Sequence, residues 1–249
     1  MGASHAVTGG LERLRVQRET GFTLDDRDRL VSVNSPENAK LPRFVLAGCA
    51  DGNLASVSSG LDEATARDVL ALAAEEPPFW RLGATPRHLE RYLAVLGASE
   101  AEAEIELDHE LPTNLEPGPD VTLVASDTAE GEGLLEALRR DGMPAGLFDM
   151  GFTDVGEFWA PWCAALADGE VASVAFAARL SSAGAAIGVA TAPAFRGRGL
   201  AAAATAGWTR LPALRRRSLF YSTRLSNRAS RAVTARLGLT AFGLTLSVR

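Results

Sequence analysis

Between Arg196 and Ala202 the chain reads Arg-Gly-Arg-Gly-Leu-Ala-Ala, directly after the β-branched stretch Ile187 to Thr191. Those residue types in that order are suited to holding an anion. A strand, a glycine loop and a helix start present unpaired backbone N–H groups and a positive dipole end to a phosphate. Gly197 and Gly199 tolerate φ > 0 and let the backbone approach a ligand closely. Arg196 and Arg198 add fixed positive charge. The expected ligand carries a pyrophosphate. Side chains suited to proton transfer stand nearby. Tyr221 and Ser222 are neighbours on a predicted strand, and alternation puts them on opposite faces. Ser226 precedes a predicted helix and reads as its N-cap. Asp149, Asp154 and Glu157 fall together further upstream, with Asp154 reading as a cap. Arg224, Arg228 and Arg231 follow the strand of Tyr221, on the same end of the sheet as the glycine loop. His109 lies between Asp108 and Glu110, an arrangement that raises a histidine's pKa if all three are close, although a surface cluster is the expected reading. Cys49 and Cys163 lack any ligand spacing and read as buried free thiols, so neither a disulfide nor a metal is expected.

Charge is distributed unevenly around these residues. The 249-residue chain has a formal net charge of −6. From Ala185 onward there are eleven Arg and no Asp or Glu, so 14 of the 25 basic residues and all 31 acidic ones precede that point. Nucleic-acid binding favours a broad Lys and Arg stripe with exposed aromatics. Here Lys40 is the only lysine and the arginines gather around one loop and one helix start. A compact anionic ligand fits better than nucleic acid. No apolar run approaches the length of a membrane span and the start lacks a signal-peptide block, so a cytoplasmic protein with no membrane partner is expected.

The elements that must position these groups fall into two sets. Residues 1–20 read as a tail or loosely packed helix. Residues 21–117 read as an α+β unit. Asp51-Gly52-Asn53 turns a hairpin between Arg43–Ala47 and Leu54–Val57. A helix capped by Asp62 or Ser59 runs to about Ala74, a second covers Arg87–Leu96, and Ala103–Leu107 is a strand. Pro112–Pro119 reads as a linker. Residues 118–249 then give a strand at Val121–Ala125 and a helix over Glu130–Arg140. A short helix is expected at Val155–Ala160. Strands follow at Cys163–Leu166 and Val171–Leu180 around Ala167-Asp168-Gly169, then a strand at Ala186–Thr191. The rest reads as helix Leu200–Arg210, strand Leu219–Thr223, helix Asn227–Leu237 ended by Gly238, and a closing strand Thr240–Val248 interrupted at Gly243.

Arg196-Gly-Arg-Gly-Leu-Ala201 resembles the R/Q-x-x-G-x-G/A signature of the GCN5-related N-acetyltransferases (GNAT). The stretch from Asn227 to Leu239 is similar to that family's N-x-x-A-x-x-x-Y-x-K-L-G-F helix. The resemblance covers about half the chain, and the N-terminal half is similar to a subgroup with an extra α/β domain. It implies an α/β (α+β) fold, with a mixed, mostly antiparallel sheet and flanking helices, preceded by a smaller α+β domain. It implies acetyl-CoA or another acyl-CoA as donor, or the phosphopantetheine of a carrier protein, with transfer to an amine or hydroxyl of a small molecule. The amides of Arg198, Gly199, Leu200 and Ala201 then hold the pyrophosphate. The strand Val189, Ala190, Thr191 splays from Leu219–Thr223 and pairs with the pantetheine arm. An amide at Val189 or Ala190 faces the thioester carbonyl, Asn227 binds the arm, and one of Arg224, Arg228 and Arg231 meets the nucleotide's 3′-phosphate or an acidic carrier protein.

Two positions depart from the family. Thr234 stands where a tyrosine general acid is common, and Ala186 stands one residue before Ile-Gly-Val, where many members have Glu. Tyr221, Ser222, Ser226, Thr234 and Glu157 are the remaining candidates for proton transfer. A non-catalytic, coenzyme A-binding regulatory role is the alternative that these departures raise. Gly197-x-Gly199-x-x-Ala202 also fits a dinucleotide pattern, but no acidic residue follows Glu170 to hold a ribose. The acceptor and the oligomeric state have no signature in the sequence.

Overall fold

The computed structural model describes residues 9–249 apart from 38 and 119. The first part of the expected tail, residues 1–8, lies outside the described residues. The chain then runs α1 (Gly10–Gly21), β1 (Phe22–Leu24), β2 (Leu30–Val33), β3 (Phe44–Cys49), β4 (Gly52–Val57), α2 (Glu63–Ala74), α3 (Leu89–Leu96) and β5 (Ala103–Glu110). After an irregular stretch come β6 (Thr122–Ala125), α4 (Ala129–Asp141), α5 (Ala145–Asp149), β7 (Trp162–Ala167), β8 (Glu170–Leu180) and β9 (Gly184–Thr191). Last are α6 (Leu200–Thr209), β10 (Ser218–Arg224), α7 (Arg228–Arg236) and β11 (Ala241–Val248).

Local chemistry explains many boundaries. Asp62 caps α2 by accepting from the Thr65 N–H, and Thr128 does the same for α4 through Gly131. At the β7–β8 turn Asp168 has φ 56° and Gly169 φ 83°, the pair of left-handed residues that a tight hairpin needs. At Gly243 the register of β11 against β5 shifts, as a strand glycine suggests. The helix expected over Val155–Ala160 is only a 3₁₀ turn at Val155–Glu157, because the residue before Pro161 is pushed out of the helical region. Helix α5 and the β1–β2 hairpin are too short to leave a periodic signal.

One sheet of nine strands has the order β4-β3-β11-β5-β10-β9-β8-β7-β6. Only β9 and β10 are parallel. The segments expected on either side of residue 117 share this sheet, and β5 pairs with β10 on one edge and β11 on the other. Helices α6 and α7, then α2 and α3, cover one face. There Trp208, Cys163, Ile187 and Leu219 pack in one cluster, and Phe44, Leu46, Tyr92 and Leu107 in the next. Helices α4 and α5 cover part of the other face around Trp162 and Val174, and α1 crosses its middle. A Cβ on Gly184 would come within 2.1 Å of Thr20 Oγ1, so glycine is what lets α1 press onto β9.

Candidate active site

Strands β9 and β10 pair only over Ser218–Phe220 and Gly184–Ala186. Beyond that they part, while β9 continues to pair with β8 as far as Thr191. The Ala192 N–H bonds the Ala172 carbonyl on the β8 side. By alternation, the backbone groups of Ala190 also face β8, and those of Val189 and Thr191 face the gap. The gap opens into a cavity of about 740 Å³ lined by Val189, Thr191, Tyr221, Asn227, Arg196 and the first residues of α6.

The glycine loop closes one end of this cavity. Gly197 has φ 78° and Gly199 φ 85°. The first helical bond of α6 runs from the Ala203 N–H to the Gly199 carbonyl. The N–H groups of Leu200, Ala201 and Ala202 therefore take no backbone partner and stand at the positive end of the helix. Arg236, at the end of α7, reaches back over the loop and lines the same cavity.

The other expected residues divide by face. Tyr221 is buried, and its hydroxyl accepts from Ser230 Oγ at 2.9 Å, which leaves its own proton free to donate. Burial pushes the phenol above its ordinary pKa. Ser222 turns to the opposite face and donates to Asp108 at 2.7 Å. Ser226 does not cap α7; Asn227 does, accepting from the Ser230 N–H at 3.0 Å. Thr234 is buried and donates to the Arg231 carbonyl at 3.0 Å, away from the cavity lining. Glu157 is not brought to the cleft. Its carboxylate accepts from Thr153 and Asp154, and those bonds hold its pKa down. Arg224 pairs with Glu104, Arg231 donates to the Leu225 carbonyl, and Arg198 pairs with Asp168 at 3.1 Å. None of these three side chains lines the cavity. Arg236, which sequence reasoning passed over, is the α7 arginine that lines the cavity. The expectation for His109 is reversed: the ring is buried, desolvation lowers its pKa, and Nδ1 bonds the Tyr221 carbonyl. Among the described residues no three His, Cys, Asp or Glu side chains form a metal-holding group, and no helix is long and apolar enough to cross a membrane.

Residues 160–242, which contain the split strands, the glycine loop and α7, match a family model described as GNAT acetyltransferase. The match is to this segment and marks it as similar to that family. Among solved structures the chain is similar to a GCN5-related N-acetyltransferase from Kribbella flavida, at 19% identity over 65% of this chain and 64% of that one, TM-score 0.40. An acetyltransferase of the GNAT family from Colwellia psychrerythraea gives 14% identity over 74% and 62%, TM-score 0.40. A GCN5-related N-acetyltransferase-like protein from Streptococcus suis gives 18% over 84% and 85%, TM-score 0.44. The chain thus spans under two thirds of the Kribbella and Colwellia proteins. No curated protein matches significantly.

The chemistry of the GNAT family is acyl transfer. In the matching segment Thr234 is committed to a backbone carbonyl and Ala186 offers no proton acceptor. Tyr221 lines the cleft with Thr191 and Ser230, and its proton is free to donate because it accepts from Ser230.

Proposed function

We propose that the protein transfers an acyl group from coenzyme A to a small-molecule amine by direct attack. One observation carries this reading: a strand edge freed by the β9–β10 split leads straight to the unpaired N–H groups of α6. That is the shape of a thioester arm ending in a pyrophosphate. The N–H groups of Leu200, Ala201 and Ala202, with Arg196 and Arg236, hold the phosphates. The freed edge at Val189 and Thr191 pairs with the pantetheine arm, and Asn227 has its side-chain amide available to bind it. Bound there, the thioester supplies an activated acyl group. The Val189 N–H, facing the gap, stabilises negative charge developing on the acyl oxygen. Tyr221 gives its proton to the departing sulfur, the role left vacant at Thr234. As the acceptor nitrogen bonds to the acyl carbon, the carbon–sulfur bond breaks and the sulfur leaves as a thiol.

Calorimetry with coenzyme A, then thiol release from acetyl-CoA with a panel of amines, tests this reading. Micromolar binding that Arg196→Glu abolishes is expected. Unchanged affinity in that variant refutes the donor site. A second donor is favoured by the exposed arginines of α7, Arg228, Arg231 and Arg236: the phosphopantetheine of an acidic carrier protein, steered by charge. Binding of a holo carrier protein without binding of free coenzyme A supports it. Coenzyme A binding with no turnover on any acceptor is the signature of a regulatory domain.

A further inference from the structure

On the sheet face opposite the donor cleft, under α1, lies a second cavity of about 270 Å³. It adjoins the same split between β9 and β10, for Ala186 and Ile187 line one side and Ser222 the other. Glu106 and Asp108 stand two apart on β5 and so share this face. Asp108 is fully buried and its carboxylate is saturated. Oδ1 accepts from Gln17 Nε2 at 2.6 Å and Ser222 Oγ at 2.7 Å, and Oδ2 accepts from Thr245 Oγ1 at 2.6 Å. Glu106 has no hydrogen bond or ion pair among the described residues, although burial and the neighbouring Asp108 push its pKa up to about 7. Gln17 Oε1, carried in by α1, is buried without a donor. The orphan donor in the same wall is Arg18 Nε, whose guanidinium head is already taken by Asp28 and Ser56.

The unpaired groups on the Glu106 side are thus acceptors, and a buried acceptor without a donor is costly. The rim differs in sign. Lys40 is exposed at the mouth, Arg249 pairs with Glu104 there, and Arg179 donates to Ser35. A volume of about 270 Å³ limits the guest to a small molecule.

We propose that this cavity receives the acyl acceptor, a small primary amine with a neutral or anionic tail, and that Glu106 holds its ammonium group and takes its proton. The inference rests on the donor reading above. The ammonium gives one proton to the Glu106 carboxylate, and the freed lone pair forms the bond to the acyl carbon. The carbon–sulfur bond breaks, and the nitrogen's second proton balances the one the sulfur takes. A base near neutrality is matched to that task, and it substitutes from β5 for the carboxylate missing at Ala186. Cations at the rim disfavour a second ammonium, so diamines are poor acceptors.

The test uses the full chain, acetyl-CoA, and n-butylamine, β-alanine, putrescine and n-butanol as probes. The expected result is turnover of the first two, at least tenfold above putrescine and butanol, with kcat/KM rising through about pH 7. Glu106→Gln should lower kcat at least 100-fold and remove that pH step. Ala186→Leu, which fills the cavity from the sheet, should raise the KM for butylamine tenfold and leave coenzyme A affinity unchanged. Wild-type turnover and pH profile in Glu106→Gln, or an unchanged KM in Ala186→Leu, overturns the proposal. If no probe turns over, butylamine is titrated calorimetrically into the protein. Absence of binding that depends on Glu106 overturns the proposal, while retained coenzyme A binding leaves the donor reading standing. Loss of coenzyme A binding overturns the donor reading itself.

Discussion

The guanidinium of Arg236 lies across Gly199: a Cβ on Gly199 would stand 2.7 Å from Arg236 Cζ. The end of one helix thereby lies over the start of another, and both line the donor cleft. Gly199 also has φ 85°, a region that costs an L residue about 1–2 kcal/mol. The Arg236 head is flexible and can swing aside, so the backbone term dominates in Gly199→Ala. The expected result is a fall in Tm of roughly 3–6 °C, with coenzyme A affinity weakened at least tenfold because the N–H groups of α6 are re-aimed. Thermal scans and calorimetry check both.

Arg236→Gln removes the charge and keeps a polar side chain. Arg236 is exposed, so stability should stay within about 0.5 kcal/mol. A charge-assisted bond to phosphate is worth about 1.5–3 kcal/mol, which places the loss of coenzyme A affinity at roughly tenfold or more. The salt dependence of binding should flatten, and titrations at two ionic strengths measure it.

Tyr221→Phe removes only a hydroxyl. Ser230 loses an acceptor, at about 1 kcal/mol of stability. Coenzyme A affinity should hold within twofold, while kcat falls about 100-fold, the usual scale for a lost proton donor. Equal kcat in both proteins would dismiss the tyrosine from the reaction.

Glu106 makes a stability prediction apart from turnover. Its folded pKa of about 7 lies above the ordinary 4.5, so between those values the folded state binds more protons than the unfolded state. Stability from this group therefore falls as pH rises from about 4.5 to 7. Glu106→Gln should be more stable than the parent above pH 7, by on the order of 2 kcal/mol after allowing for water access, and should lose that advantage near pH 4.5. Denaturant titrations at pH 5 and pH 8 decide the sign.

What was legible in the sequence is what is encoded locally. Gly197, Gly199 and the alanine run specify loop and helix within seven residues, and Asp168-Gly169 specifies its own turn. Arg236 could have been found by the same means. Ala229, Val233 and Arg236 are spaced i, i+4, i+7 and share a helix face, whereas Arg224 and Arg231 stand out in the sequence only by their place at the same end of the sheet as the glycine loop. The acceptor cavity had no such signal. Gln17, Asp108, Ser222 and Thr245 come from four distant segments, and nothing in the spacing of any one of them indicates the other three. His109 shows the same limit: its neighbours in sequence are acidic, but burial, set by the sheet, decides its protonation.

The position of β5 has a consequence for how the chain is made. The strand is synthesised well before its partners β10 and β11, which begin more than a hundred residues later in the chain. For more than a hundred residues of elongation both its edges lack their final neighbours, and Asp108 lacks two of its three donors. Pairings of such long sequence separation form slowly, and an open strand edge invites wrong partners meanwhile. The residues that close the acceptor cavity are therefore also the ones whose assembly must wait until β10 and β11 have been made.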